Sequence, residues 1–289
     1  MEAATRTHAR PEAGEVSLVP FTEKHLAGAH KLSLDLRWPF RLEDWAFALT
    51  VGQGYILERD GAVIGSAVWF PYGETHASVG MIIVTGAEQG RGFGALLFDK
   101  LLEAAKGRSI LLNATPEGRG LYERRGFRPI GKIEQRQGVL PGRHQAPPED
   151  LVRAMRPEDF ETVAALDRAA TGRERTAMLR RLVDAGETFV SFTDGRPTGY
   201  AISRLFGRGH VVGPVVAQDP AEARALIEAA LSRLEGRFVR IDPPADTGLS
   251  LWLDEIGLPE VSDALTMVLG ENEPAGPARL FALANQSFL

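Results

Sequence analysis

The run MIIVTGAEQGRGFGALLFDKLLEAAKG, residues 81–107, holds in order an apolar strand, a glycine-rich turn and an amphipathic helix. Ile82, Ile83 and Val84 end the strand. Gln89, Gly90, Arg91, Gly92, Phe93 and Gly94 form the turn, and Phe93, Leu97 and Leu101 recur at helical spacing until Gly107 stops the helix. Glycines let main-chain N–H groups converge on an anion without Cβ interference, and a helix that begins at such a turn adds the positive end of its dipole. The turn therefore suits a pyrophosphate. Read alone, it also fits a tight strand–helix connection with no ligand.

Outward from this run, strand-like and helix-like stretches alternate, which predicts an α/β (α+β) fold. Upstream lie a strand at Val16–Val19, a helix over Glu23–Leu36, a second helix over Trp38–Ala48, and two strands at Gly54–Arg59 and Val63–Phe70 turned at Asp60-Gly61. Downstream lie a strand at Ser109–Leu112, a helix at Glu117–Arg125 and a strand from Phe127. Residues 139–150, VLPGRHQAPPED, read as a linker between a first domain at 15–138 and a second at 151–289. The pattern then restarts. Asp194-Gly195 repeats Asp60-Gly61, and Gly61 to Gly195 spans 134 residues, as does Gly65 to Gly199. Ordered recurrence of this kind predicts a duplication.

Composition narrows the chemistry. There are no cysteines, so thiolate metal sites, disulfides and a cysteine nucleophile are excluded. The six histidines have no metal-ligand spacing, and the net charge of −5 gives no electrostatic case for nucleic acid. Without an apolar stretch of membrane length, and with no apolar core in Met1–Gly14 to make a signal peptide, the expectation is a cytoplasmic protein with no membrane partner and a frayed start, acting as a monomer or weak homodimer.

Other phosphate-binding loops do not fit. A P-loop requires Gly-Lys-Ser/Thr; a dinucleotide fingerprint requires wider glycine spacing and a later carboxylate; a kinase loop lies between two strands. With LYERRGF at Leu121–Phe127 in the expected place, residues 16–137 instead resemble the GCN5-related N-acetyltransferase superfamily, whose Gln/Arg-x-x-Gly-x-Gly/Ala loop is matched by Gln89, Gly92 and Gly94.

The resemblance implies acetyl-CoA as cofactor and a splayed mixed sheet in each of two tandem copies of the fold. It implies that the backbone of Gln89, Gly90, Arg91, Gly92, Phe93, Gly94 and Ala95 holds the pyrophosphate. The open edge of Ile82, Ile83 and Val84 would pair with the pantetheine arm. Tyr122 falls at the leaving-group acid position, and Asn113 ends the fifth strand near the thioester, as a group orienting water or substrate or as a strand-end cap. A general base is not legible: the strand carries no carboxylate where many relatives have one, and Glu74 and His76 precede it. Thr115 stands where many relatives place asparagine. Trp38, Phe40 and Trp45 read as core near the acceptor region, and Arg37, Arg41, Glu43 and Asp44 as a solvated face.

The second copy has no glycine cradle at Gln218-Asp219-Pro220, and Trp252 replaces the tyrosine, so it reads as degenerate. Asp167, Gly172 and Arg175 fit either a shared cleft or helix capping and surface ion pairs, and Asn285–Leu289 is a second candidate to reach a cleft. The leading reading is an enzyme acetylating a small-molecule amine. Its rivals are a non-catalytic acyl-CoA sensor and a protein or peptide amine acetyltransferase.

Overall fold

The computed structural model describes residues 14–271 and 276–289; the frayed start expected for residues 1–13 lies outside them. The first half contains β1 (Val16–Pro20), α1 (Leu26–Asp35), α2 (Leu42–Val51), β2 (Gln53–Arg59), β3 (Ala62–Tyr72), β4 (His76–Val84), α3 (Phe93–Ala104), β5 (Ser109–Ala114), α4 (Pro116–Glu123) and β6 (Arg128–Val139). The second half contains β7 (Val152–Ala154), α5 (Phe160–Thr171), α6 (Thr176–Asp184), β8 (Gly186–Thr193), β9 (Arg196–Phe206), β10 (Gly209–Ala217), α7 (Pro220–Leu231), β11 (Phe238–Ile241), α8 (Ser250–Glu255), β12 (Glu260–Leu269) and β13 (Arg279–Ala282). The duplication is visible in the turns. Asp60 and Gly61 take φ of 51° and 77°, and Asp194 and Gly195 take 51° and 74°, the left-handed pair that a two-residue hairpin requires.

All the strands join one mixed sheet in the order β1-β2-β3-β4-β5-β12-β6-β11-β10-β9-β8-β7, with β13 pairing β10 off this path. The halves exchange strands. β12 inserts antiparallel between β5 (Leu265↔Ala114 to Leu269↔Ile110) and β6, while β6 pairs with β11 (Phe238↔Val139 to Ile241↔Arg136). Each half thus completes the other's sheet. One face carries α1, α2, α5 and α6 in a shared core around Trp45, Tyr72, Phe160 and Tyr200. On the opposite face α3 covers one core (Leu97, Phe98, Leu101) and α7 another (Leu226, Ile227, Leu231).

Two sequence expectations are corrected here. The second helix begins at Leu42, not Trp38. Pro39 disfavours helical backbone in Trp38, and Arg41 is extended (φ −89°, ψ 166°) with its N–H donated to Asp44, which starts the helix there. Asp44 is not on a solvated face. It is buried, paired with Arg41 at 2.7 Å, and accepts the main-chain N–H of Gly207 (2.9 Å), so it ties the halves together.

Asp167 and Arg175 are likewise not a surface pair. They are 2% and 3% exposed, joined by two 2.7 Å hydrogen bonds, with Tyr200 also donating to Asp167 and Arg175 donating to the Leu289 carbonyl. Removing the carboxylate charge strands a buried cation, which costs about 3–5 kcal/mol. Asp167→Asn is therefore expected to lower stability by that order in urea titration; a loss below about 1 kcal/mol contradicts this account.

Candidate active site

β4 changes the face it presents midway. Ala77 and Val79 point into the core under α3, whereas Met81 and Ile83 belong to the core under α1 and α2. The switch is a bulge. Between the pairs Val68↔Gly80 and Ser66↔Ile83 one residue of β3 faces two of β4, and Met81 sits at φ 53°, a conformation costly for a residue with a side chain. Ser66 Oγ fixes it by donating to the Met81 carbonyl (2.9 Å).

The bulge lies where the sheet opens. β4 pairs in parallel with β5 only from His76↔Ser109 to Ser78↔Leu111. Beyond Ser78 the two strands part, and the β5-facing edge of Ile82, Ile83 and Val84 has no partner strand among the described residues.

Gln89 to Ala95 follow directly. Gly90 (φ 76°) and Gly92 (φ 84°) adopt left-handed backbone, and a Cβ built at Gly90, Gly92 or Gly94 meets nothing within 4 Å. Gly92 caps α3 without any side-chain acceptor, and among the described residues the N–H groups of Gly90 to Ala95 find no carbonyl or side chain. A helix start with its first N–H groups open is an anion site. The loop is pinned from beneath by buried Glu88, which pairs with Arg59 (3.1 Å) and Arg91 (2.7 Å), while Gln89 folds back to donate to the Val84 carbonyl (3.2 Å). Open donors, room above them and a bare strand edge alongside fit the diphosphate and amide-bearing arm of coenzyme A.

Tyr122 projects from α4 onto the α3 side, half-buried against Phe98 (ring centroids 4.8 Å apart) and Phe127. Burial pushes its phenol up to about 12. Among the described residues its hydroxyl has no hydrogen-bond partner. Asn113 points to the opposite face. Its Nδ2 donates to the Gln286 carbonyl (2.9 Å) and its Oδ1 accepts from Thr266 (2.8 Å), so both ends of its amide are engaged. Glu74 is exposed in the β3–β4 turn and His76 starts β4, both at the end of the strand away from the loop.

The second half supplies a contrast within the same chain. β10 also bulges, between Val212 and Val215, and parts from β11 after Val211↔Arg240. There, however, β13 fills the opening: it pairs antiparallel with β10 at Val215, Val216 and Ala217. The start of α7 is closed as well. Asp219 accepts the Glu222 N–H (2.9 Å), and the Glu222 carboxylate accepts from Gln218 N (2.6 Å), Ser191 (2.7 Å) and Thr198. A glutamate thus sits where an anionic ligand would bind, and a strand lies where its arm would run. Sequence reading noted the missing glycines but not this occupation, although Asp219-Pro220-Ala221-Glu222 has the Asp-x-x-Glu form of a capping box. The last residues of the chain, which reach Asn113, carry no recognisable motif.

Comparison with known proteins agrees with this architecture. A model of the acetyltransferase (GNAT) family matches residues 21–127, and one of an acetyltransferase (GNAT) domain matches residues 163–282. The chain is 26% identical over 277 residues to the uncharacterized N-acetyltransferase YitH of Bacillus subtilis (strain 168), covering 93% of this chain and 97% of that one. It is 25% identical over 241 residues to a holothin acyltransferase of Pseudoalteromonas sp. (strain SANK 73390), covering 82% and 79%. Among solved structures, a Pyrococcus horikoshii protein designated a candidate acetyltransferase shares the fold at TM-score 0.78 and 20% identity, over 98% of this chain and all (100%) of that one. A tandem GNAT protein from the clavulanic acid biosynthesis pathway does so at TM-score 0.64 and 16% identity, over 90% and 100%. Among the described residues no helix is long and apolar enough to cross a membrane.

Proposed function

Because the chain belongs to the GCN5-related N-acetyltransferase superfamily, with two copies of its fold in tandem, we propose that only the first half binds acetyl-CoA and that it acetylates a small-molecule primary amine. The observation that carries this reading is the asymmetry between the copies: open donors and a free strand edge at Ile82–Val84, against a carboxylate and a strand in the equivalent places of the second half.

The two sides of the opening divide the chemistry. The Gly90–Ala95 amides and Tyr122 lie on the α3 side, which orients the cofactor. Acceptor access is then from the α1–α2 side. That side is roofed by the second half, where Phe206 packs edge-on against Phe40 (5.3 Å) and Arg41 donates to the Leu205 carbonyl (3.0 Å). A roofed entrance favours a small molecule over a protein lysine. The names of two similar proteins, a holothin acyltransferase and a tandem protein of clavulanic acid biosynthesis, point the same way.

Bound there, acetyl-CoA supplies an acyl thioester and, after transfer, a thiolate that needs a proton. Tyr122 Oη holds that proton. With its pKa raised to about 12 by burial, the phenol stays protonated at every pH where the enzyme is expected to work, so it serves as donor and not as base. Burial beside the phenol also raises the thiol above its reference value of about 8.5, which narrows the gap to the Tyr122 phenol. Asn113 acts through the chain segment it holds and is a positioning residue.

Three measurements test this. Calorimetry is expected to give one acetyl-CoA per chain; two equal sites refute the division of labour. Tyr122→Phe is expected to lower kcat about 100-fold or more with acetyl-CoA affinity nearly unchanged. In the wild type the rate climbs as the acceptor amine deprotonates and shows no descending limb from Tyr122 below about pH 11, because the phenol titrates only near 12. A phenylalanine variant as fast as the wild type ends the acid assignment.

A further inference from the structure

Three consecutive carbonyls near the end of the chain are held by first-half side chains that bracket the opening of the sheet. Tyr72 Oη donates to the Phe288 carbonyl (2.7 Å), Ser78 Oγ to that of Ser287 (3.0 Å) and Asn113 Nδ2 to that of Gln286 (2.9 Å). Within the segment, Ser287 N–H donates to Asn285 Oδ1 (2.7 Å). Ser78 is the last residue of β4 that pairs with β5, so the segment lies where the strands part.

It lies on the face away from α3. Phe288 packs with Phe70 (5.2 Å) and Phe47 (6.0 Å), and Leu289 with Leu111. Phe288 and Leu289 are buried, at 3% and 2% exposure, but Gln286 and Ser287 keep part of their surface open. Neither of those two side chains makes a hydrogen bond within the described residues. Gly80 is shaped to this segment: a Cβ there would stand 2.7 Å from Ser287 Cβ and 3.0 Å from its Oγ.

We infer that Gln286 and Ser287 form the acceptor-contacting wall of the first half's reaction centre, with Gln286 Oε1 and Ser287 Oγ accepting the N–H groups of the incoming amine. An amine attacking a carbonyl must aim its lone pair at the carbon, so its N–H groups need acceptors on the other side. On this side of the opening Tyr72 of β3, Ser78 of β4 and Asn113 of β5 are already committed to the segment, and β4 and β5 carry no carboxylate. Gln286 and Ser287, whose side chains are unengaged among the described residues, come from the second half. This explains how a half that has lost its own cofactor site is kept: it builds the acceptor site of the other. The inference rests on the amine-acetylation reading above.

The test uses the full-length protein and release of free thiol from acetyl-CoA, with a panel of primary amines and, separately, with water alone. Ser287→Ala and Gln286→Ala are expected to raise KM for the best amine about 10-fold or more, with acetyl-CoA affinity and melting temperature unchanged. Gly80→Ala, whose Cβ would stand 2.9 Å from the main-chain Cα of Ser287, displaces the segment and is expected to impair amine transfer even when combined with Ser287→Gly. In water alone, opening the wall with Ser287→Gly is expected to raise acetyl-CoA hydrolysis several-fold. Unchanged amine KM in both alanine variants overturns the inference. If the wild type binds acetyl-CoA but turns over no amine, the amine-acetylation reading fails, and the hydrolysis comparison decides the wall: an unchanged rate overturns it.

Discussion

Ala95→Glu is expected to abolish acetyl-CoA binding while leaving the protein as stable as the wild type or slightly more so. Ala95 is the third residue of α3, the position that Glu222 holds in α7, where the carboxylate accepts the Gln218 N–H just before the helix and the hydroxyls of Ser191 and Thr198. A glutamate at that position caps a helix and complements its dipole, worth a few tenths to about 1 kcal/mol. The same carboxylate would take the donors meant for the diphosphate and set a negative charge against it. Like charges brought together in a site cost several kcal/mol, and each 1.4 kcal/mol is tenfold, so a loss of at least about 100-fold in affinity is expected by calorimetry. Stability and binding move in opposite directions, which separates a blocked site from a misfolded one. Glu222→Ala is the control. It empties the start of α7 but leaves β13 along β10, so it gains no second acetyl-CoA. Wild-type affinity in Ala95→Glu would remove the start of α3 from the site.

The elements around the loop were legible because their signals are local. A glycine turn between an apolar run and a helical stripe needs no knowledge of distant residues, and Asp-Gly hairpins announce themselves in four residues. Boundaries failed where a side chain overruled the pattern, as when Pro39 and the Arg41–Asp44 cap delayed α2. Burial of charge was misjudged for a related reason. Asp44 and Asp167 look like surface residues in sequence, and partners far along the chain or across a turn, the Gly207 N–H for Asp44 and Arg175 and Tyr200 for Asp167, help make their burial possible. The candidate site divides the same way. The proposed cofactor-binding loop is one contiguous run, whereas the meeting of Ser78, Asn113 and the segment at Gln286–Ser287 joins residues about two hundred apart, and no local pattern encodes it.

The strand exchange was the least legible feature and has the largest consequence: neither half is expected to fold alone. Cutting the chain between Arg143 and His144, in the irregular stretch after β6, leaves a first half without β12. The edges of β5 and β6 that β12 pairs are then bare, and the fully buried Met267 and Val268 no longer cover the first half's cores. Those two side chains alone contribute about 3–6 kcal/mol by burial, and each lost ladder hydrogen bond adds about 0.5–1.5 kcal/mol. The total is of the same order as the 5–15 kcal/mol that typically separates a folded domain from its unfolded chain. The second half loses β6 from between β11 and β12 and fares no better. Each fragment expressed singly is therefore expected to aggregate or lack cooperative unfolding, since an exposed apolar strand edge recruits other chains. Expressed together, the fragments carry every strand of the sheet and are expected to assemble into a one-to-one complex that binds one acetyl-CoA. A first half that unfolds cooperatively by itself, within about 10 °C of the intact protein, would mean that β5 and β6 find each other without β12 and that the exchange is dispensable.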